Sequence, residues 1–137
     1  MHARVLRTVL VVAAVEVFVV GFGGRWLVLA GVPVPYALLV VVSFLVYGSS
    51  GYLVAGFASK GLTVLAGATV AVIDAVVWAA IGAPDVDPSV SLDLGPVDLM
   101  FTLLMMAITG GVMGLLGGVT ARWRARLRRR SASEGGA

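Results

Sequence analysis

The sequence of 137 residues contains no cysteine, one histidine and one lysine, which excludes several kinds of chemistry at the outset. Without cysteine the chain forms no disulfide, no thiolate metal site and no cysteine nucleophile. The histidine, His2, is next to the N-terminus, and the sequence has no HExxH, phosphate-loop or nucleophile-elbow motif. Charged residues are only 12% of the chain, about half their share in a soluble domain. These absences argue against an enzyme, a metal site, a cofactor and an ordinary soluble domain.

Hydrophobic residues make up 60% of the chain and fall into four long segments. A turn rich in helix breakers (31–35), a short turn (58–61) and a polar loop (84–96) separate these segments. Each segment has 22 to 25 residues, enough to cross a hydrocarbon core about 30 Å thick. The sequence therefore predicts an all-α bundle of four transmembrane helices in a single domain, residues 1–121. The expected helices are residues 5–29, 36–57, 62–83 and 97–121.

The distribution of charge predicts how the helices are oriented. Arg4, Arg7, Lys60 and the C-terminal arginines lie on one side, and only Arg25 lies toward the other. Because cytoplasmic segments of membrane proteins carry the excess of Lys and Arg, both termini are expected in the cytoplasm. The loop with its aspartates is then outside. Its spacing of Asp85, Asp87 and Asp93 matches no calcium loop, so we expect no metal there.

Residues 122–137 are predicted to form a basic cytoplasmic tail that is disordered from Ser131 onward. Its arginines are expected to bind anionic lipid headgroups, each contributing about 1 kcal/mol near the surface. These arginines are Arg122, Arg124, Arg126, Arg128, Arg129 and Arg130. The alternative is that the tail binds an acidic partner or a nucleic acid. We expect that it binds lipid headgroups and no nucleic acid.

Glycines are predicted to hold the helices together. The second segment carries Gly48 and Gly51, and the fourth carries Gly110, Gly114 and Gly118 at intervals of four residues. Small residues with this spacing lie on one face of a helix and let two backbones approach closely in lipid. The partner helix belongs either to the same chain or to a second copy in a homodimer, and the sequence leaves both open.

Two acidic residues, Glu16 and Asp74, lie near the middle of predicted spans, each roughly 17–18 Å from the cytoplasmic ends. A carboxylate at that depth is costly, so both are expected to point into the bundle, with at least one protonated at neutral pH. Ser43, Tyr47 and Ser50 form a polar line on the second helix that can hydrogen-bond them. Bonding of these hydroxyls to carbonyls of their own helix is the alternative.

Three roles remain open for the acids. They are structural hydrogen-bonding groups, or a proton or cation relay in a small transporter, or contacts to a partner membrane protein. No lysine or arginine lies at their depth, so neither acid has a salt-bridge partner within the spans.

The segment 51–56, followed by Lys60-Gly61 and by the glycine pairs 110–111 and 117–118, resembles a group of small bacterial four-helix membrane proteins. That group has glycine-rich second and fourth helices and no characterised function. The resemblance implies the fold and topology above and supplies no active site. Glu16 and Asp74 correspond to no motif of the group.

The expectation for function is a non-enzymatic, multi-pass protein of the bacterial plasma membrane that acts as a structural or accessory component. The alternative is a small proton- or cation-coupled transporter that works as an oligomer through Glu16 and Asp74. Expected partners are the anionic lipid bilayer and either a second copy or a larger membrane complex.

Overall fold

The computed structural model describes residues 2–81 and 95–134, and all regular structure within these ranges is helical. The helices are α1 (His2–Val15), a π-helical segment (Glu16–Phe22), α2 (Gly23–Leu29), α3 (Tyr36–Val54), α4 (Lys60–Ile81) and α5 (Pro96–Glu134). The first three form one continuous rod, because the residues at both junctions keep helical backbone angles. Four spans are long and apolar enough to cross a membrane: Ala3–Leu29, Ala37–Val54, Lys60–Ile81 and Pro96–Ser131. The prediction of an all-α chain with four such helices is confirmed for the described residues.

The rod ends in a Schellman motif, which explains why the first span stops where it was predicted to stop. The N–H of Gly31 donates to the carbonyl of Val28, and the N–H of Val32 donates to that of Leu27, both at 2.9 Å. Gly31 has φ +77°, a left-handed conformation that glycine adopts without steric cost. Pro33 follows and prevents the helix from resuming.

The short turn between α3 and α4 differs slightly from the prediction. α3 ends at Val54, before Gly56, instead of near residue 57. α4 begins at Lys60 instead of residue 62, because Ser59 caps it. The Ser59 hydroxyl accepts from the N–H of Leu62 at 3.4 Å, the usual N-cap arrangement.

The polar loop lies almost wholly outside the described residues, which resume at Gly95. The predicted end of the third helix and the loop aspartates up to Asp93 lie there too. Pro96 occupies the first helical position of α5 and Asp98 lies in its first turn, as predicted.

α5 is much longer than predicted, since it continues past Ala121 to Glu134. Its 39 residues correspond to about 58 Å, nearly twice the thickness of a hydrocarbon core. The arginine segment is therefore helical, and so is the part of the predicted disordered end from Ser131 to Glu134. Arginine and alanine favour helix, and no glycine or proline interrupts residues 119–134.

α3 and α4 lie at the centre of the bundle, and both contact α1 on one side and α5 on the other. Glycines bring α5 against this pair. A Cβ placed on Gly114 would meet the Thr63 carbonyl oxygen and would lie 3.0 Å from Gly67 Cα. A Cβ on Gly51 would lie 2.7 Å from Gly114 Cα. Gly114 is therefore enclosed by the backbones of α3 and α4.

The other stripe glycines make similar contacts. Gly110 faces Gly67 and Ala71, while Gly118 faces Thr63. Gly48 lies 3.4 Å, measured from a Cβ added to it, from the carbonyl oxygen of Met113. The stripe predicted as either an internal contact or a homodimer seam thus lies between helices of the same chain.

Candidate functional site

Asp74 on α4 is the centre of a buried hydrogen-bonded cluster. The Tyr47 hydroxyl of α3 donates to its Oδ2 at 2.8 Å, and the Trp78 indole N–H donates to its Oδ1, also at 2.8 Å. Trp78 lies one turn after Asp74, so its side chain reaches the same face of α4. Both carboxyl oxygens therefore have a donor, and one bond joins α3 to α4.

Glu16 is even more deeply enclosed, with 1% of its surface exposed. It lies at the start of the π-helical segment, near the Ser43 hydroxyl of α3. The Asp74 carboxyl is close enough to interact with it electrostatically. Its Oε2, however, has no hydrogen-bond partner among the described residues. Glu16 and Asp74, predicted to share a depth and to face the bundle, lie in the same cluster.

The π-helical segment packs directly on this cluster. A Cβ on Gly21 would meet the indole ring of Trp78, so the absence of a side chain there gives the ring its place. Phe22 packs beside the same indole, with ring centroids 5.5 Å apart, and Phe18 stacks on Phe22 at 5.8 Å. π-Helical turns are rare and are found frequently at functional sites.

The three hydroxyls predicted from the second helix have different roles. Tyr47 binds Asp74, and Ser43 faces Glu16. Ser50 donates at 2.7 Å to the Tyr47 carbonyl of its own helix, which is the alternative that the sequence left open.

Sequence reasoning missed Trp78 as a hydrogen-bond donor, although its spacing of four residues from Asp74 was a usable signal. It also missed Thr63, which is fully buried against Gly114 and Gly118 and donates to the Lys60 carbonyl at 2.7 Å.

The contacts of the two acids come from Ser43, Tyr47, Trp78 and each other, so no basic group among the described residues balances them. Within residues 2–81 and 95–134, no three metal-ligating side chains gather in one place. The described side chains of the cluster offer carboxyl, hydroxyl and indole groups, whose observed chemistry is hydrogen bonding.

The arginines predicted to bind headgroups lie at the far end of α5. Arg122 is half-buried and donates from Nη2 to the Ala58 carbonyl of the α3–α4 turn at 3.2 Å. The others are exposed along the helix.

Comparison of the chain with protein families, with curated proteins and with solved structures gives no match. The resemblance noted from the glycine pattern therefore remains a prediction.

Proposed function

We propose that the protein is a non-enzymatic, multi-pass component of a bacterial plasma membrane, with a structural or accessory role. The four long apolar helices support its location in a membrane. The excess of basic residues at both termini and in the α3–α4 turn supports a cytoplasmic placement of these parts.

The observation that carries the structural role is the closed environment of Asp74. Both of its oxygens accept a bond, one donor belongs to a neighbouring helix, and only 8% of the residue is exposed. Hydrogen bonds between membrane helices contribute roughly 0.6–2 kcal/mol each. Together with the glycine contacts of α5, the cluster favours a bundle with one fixed packing.

The transporter alternative has a specific observation in its favour, the unpartnered Oε2 of Glu16. A buried carboxyl oxygen without a donor is expensive unless a proton or a cation occupies it. Its position on a π-helical segment, beside Asp74, also favours the transporter alternative.

Paired measurements on purified protein separate the two roles. In proteoliposomes loaded with a pH-sensitive dye, and in a second set loaded with a cation-sensitive dye, an accessory protein shows no proton or cation flux above empty vesicles. It also retains a second membrane protein in a mild-detergent pull-down, which mass spectrometry would identify. Flux that disappears in Glu16→Gln, with the fold intact, would overturn the accessory role in favour of transport.

A further inference from the structure

A cavity of about 300 Å³ lies between the end of α3 and the arginine segment of α5. Small residues, Ala55 and Gly56 of the turn and Ala121 of α5, line one part of it. A Cβ on Gly56 would meet nothing within 4 Å, which keeps this side of the cavity open. The volume is at the lower end of the range for sites that bind small molecules.

Three arginines line the rest of the cavity. Arg122, Arg126 and Arg129 are four and three residues apart, so they lie on one face of α5. The lining residues that the structure describes include no acidic one, and like charges at this spacing oppose one another. An anion between the guanidinium groups would remove that repulsion.

Arg122 supplies a second, independent observation. Its Nη2 is held by the Ala58 carbonyl, which fixes the guanidinium plane. Its Nη1 is buried and has no hydrogen-bond partner within the described part of the chain. Nη1 has almost no accessible surface, so a ligand in the cavity would meet the other edge of this guanidinium together with Arg126 and Arg129. Phosphate oxygens are the acceptors that the planar arginine fork matches best.

The position of the cavity indicates where the phosphate comes from. It begins just after Val54 and Thr120, where the apolar parts of α3 and α5 give way to polar and basic residues. Trp123, 61% exposed, follows directly on α5, as expected at the interface of a membrane. The membrane location proposed above would place lipid phosphates at this level.

We propose that this cavity is a specific site for the phosphate of an anionic lipid headgroup, with Arg122 at its base and Arg126 and Arg129 at its mouth. The site differs from a diffuse attraction of all six arginines to the membrane, because only one face of the helix takes part. The inference rests on the membrane location proposed above and is independent of whether the acid cluster is structural or transports ions.

The test measures lipid binding by purified protein in a neutral detergent. Phosphatidylglycerol and phosphatidylcholine with identical acyl chains are added, and bound lipid is counted by native mass spectrometry alongside the thermal midpoint. Phosphatidylglycerol is expected to remain bound and raise the midpoint, while phosphatidylcholine does neither.

Arg126→Gln and Arg129→Gln should each weaken phosphatidylglycerol binding by about tenfold, the effect of losing one charge-assisted contact. Arg124→Gln is the matched control, since it removes the same charge from a residue that does not line the cavity. It should bind like the natural protein. Arg122→Gln should lose binding most, and the two mouth variants carry the test if this one does not fold.

Equal weakening by Arg124→Gln and Arg126→Gln would overturn the site in favour of diffuse attraction. Stabilisation by inorganic phosphate equal to that by the lipid would overturn the assignment to a headgroup. Absence of flux or of a captured partner would bear on the proposed function and leave this site unaffected.

Discussion

Replacement of Gly114 by leucine should destabilise the bundle more than any change on the surface of α5. Gly114 contacts Gly51 of α3 on one side and both Thr63 and Gly67 of α4 on the other. Even an alanine Cβ would lie 3.0 Å from Gly67 Cα and N, where 3.4–4 Å is ordinary contact, and it would meet the Thr63 carbonyl oxygen at a still shorter distance, so the two helices would have to move apart. The atoms in the way belong to backbone, which cannot rotate aside.

Leucine adds three further carbons, and each of the neighbouring backbones must move to admit them. Overpacking costs about 1–3 kcal/mol for modest insertions, and we expect Gly114→Leu to reach or exceed about 3 kcal/mol. The better helix propensity of leucine returns only about 1 kcal/mol. Separation of α5 from the central pair would also loosen the contacts of Gly110 and Gly118.

Two variants serve as controls for this prediction. Leu115→Ala shortens a side chain that is 38% exposed, and its expected effect is below about 1 kcal/mol because lipid replaces the lost contacts. Gly23→Leu makes the same chemical change where an added Cβ meets nothing within 4 Å. The measurement is reversible unfolding in mixed micelles of mild detergent and dodecyl sulfate, followed by circular dichroism. Equal midpoints for Gly114→Leu and Leu115→Ala would refute the reasoning.

Four further outcomes are expected. Tyr47→Phe should lower the free energy of unfolding by roughly 0.6–2 kcal/mol in the same assay, by loss of its bond to Asp74; no change would mean that this bond does not stabilise the fold. Asp74→Asn should be tolerated, because Trp78 can still donate to the amide oxygen and the Tyr47 hydroxyl can accept from the amide nitrogen. Asp74→Leu leaves the buried Tyr47 hydroxyl and the part-buried Trp78 N–H without an acceptor, and should cost at least about 1–3 kcal/mol, the penalty for the hydroxyl alone. Glu16→Gln should keep the stability of the natural protein, and an unfolded variant would show that the carboxyl itself is required. A cysteine at Ser133 should be protected from a membrane-impermeant reagent in intact cells and one at Ser89 labelled, and the opposite pattern would reverse the proposed orientation.

The number and type of helices could be predicted from the sequence, because long apolar segments separated by breakers have few other solutions. The start of α5 at Pro96 and the end of the first span before Gly31 followed from local chemistry. The length of α5 could not be predicted in this way, since hydropathy marks where a helix leaves the bilayer and says nothing about whether the helix continues in water. Ser59 is a helix-capping residue that predicts a start of α4 at Lys60, but the prediction placed the start by hydropathy, at residue 62.

The sequence could predict which residues form the candidate site, but it could not predict which donor bonds to which carboxyl oxygen. Depth alone paired Glu16 with Asp74, since both spans run in the same direction. The donor to each oxygen depends on how α3 is rotated about its axis, and the mixed polar and glycine positions on that helix fit several rotations. The sequence gives no clear signal for the π-helical segment, although Gly21, which lies against the Trp78 ring, is compatible with it.

Asp74 and Glu16 contribute differently to the stability of the fold. This difference indicates which of them would carry a role in transport. Asp74 accepts bonds from two donors, and its removal would leave both without an acceptor in an enclosed place. Stability is therefore a sufficient reason for its carboxyl. Among the described residues, Glu16 is nearly inaccessible, lies near the Ser43 hydroxyl and has one oxygen without a partner, so hydrogen bonding offsets little of its burial cost. A glutamine would serve the fold equally well there. Consequently, if transport occurs, Glu16→Gln is expected to keep the stability of the natural protein and to lose flux, so Glu16 is the position where a role in transport separates most clearly from a role in stability.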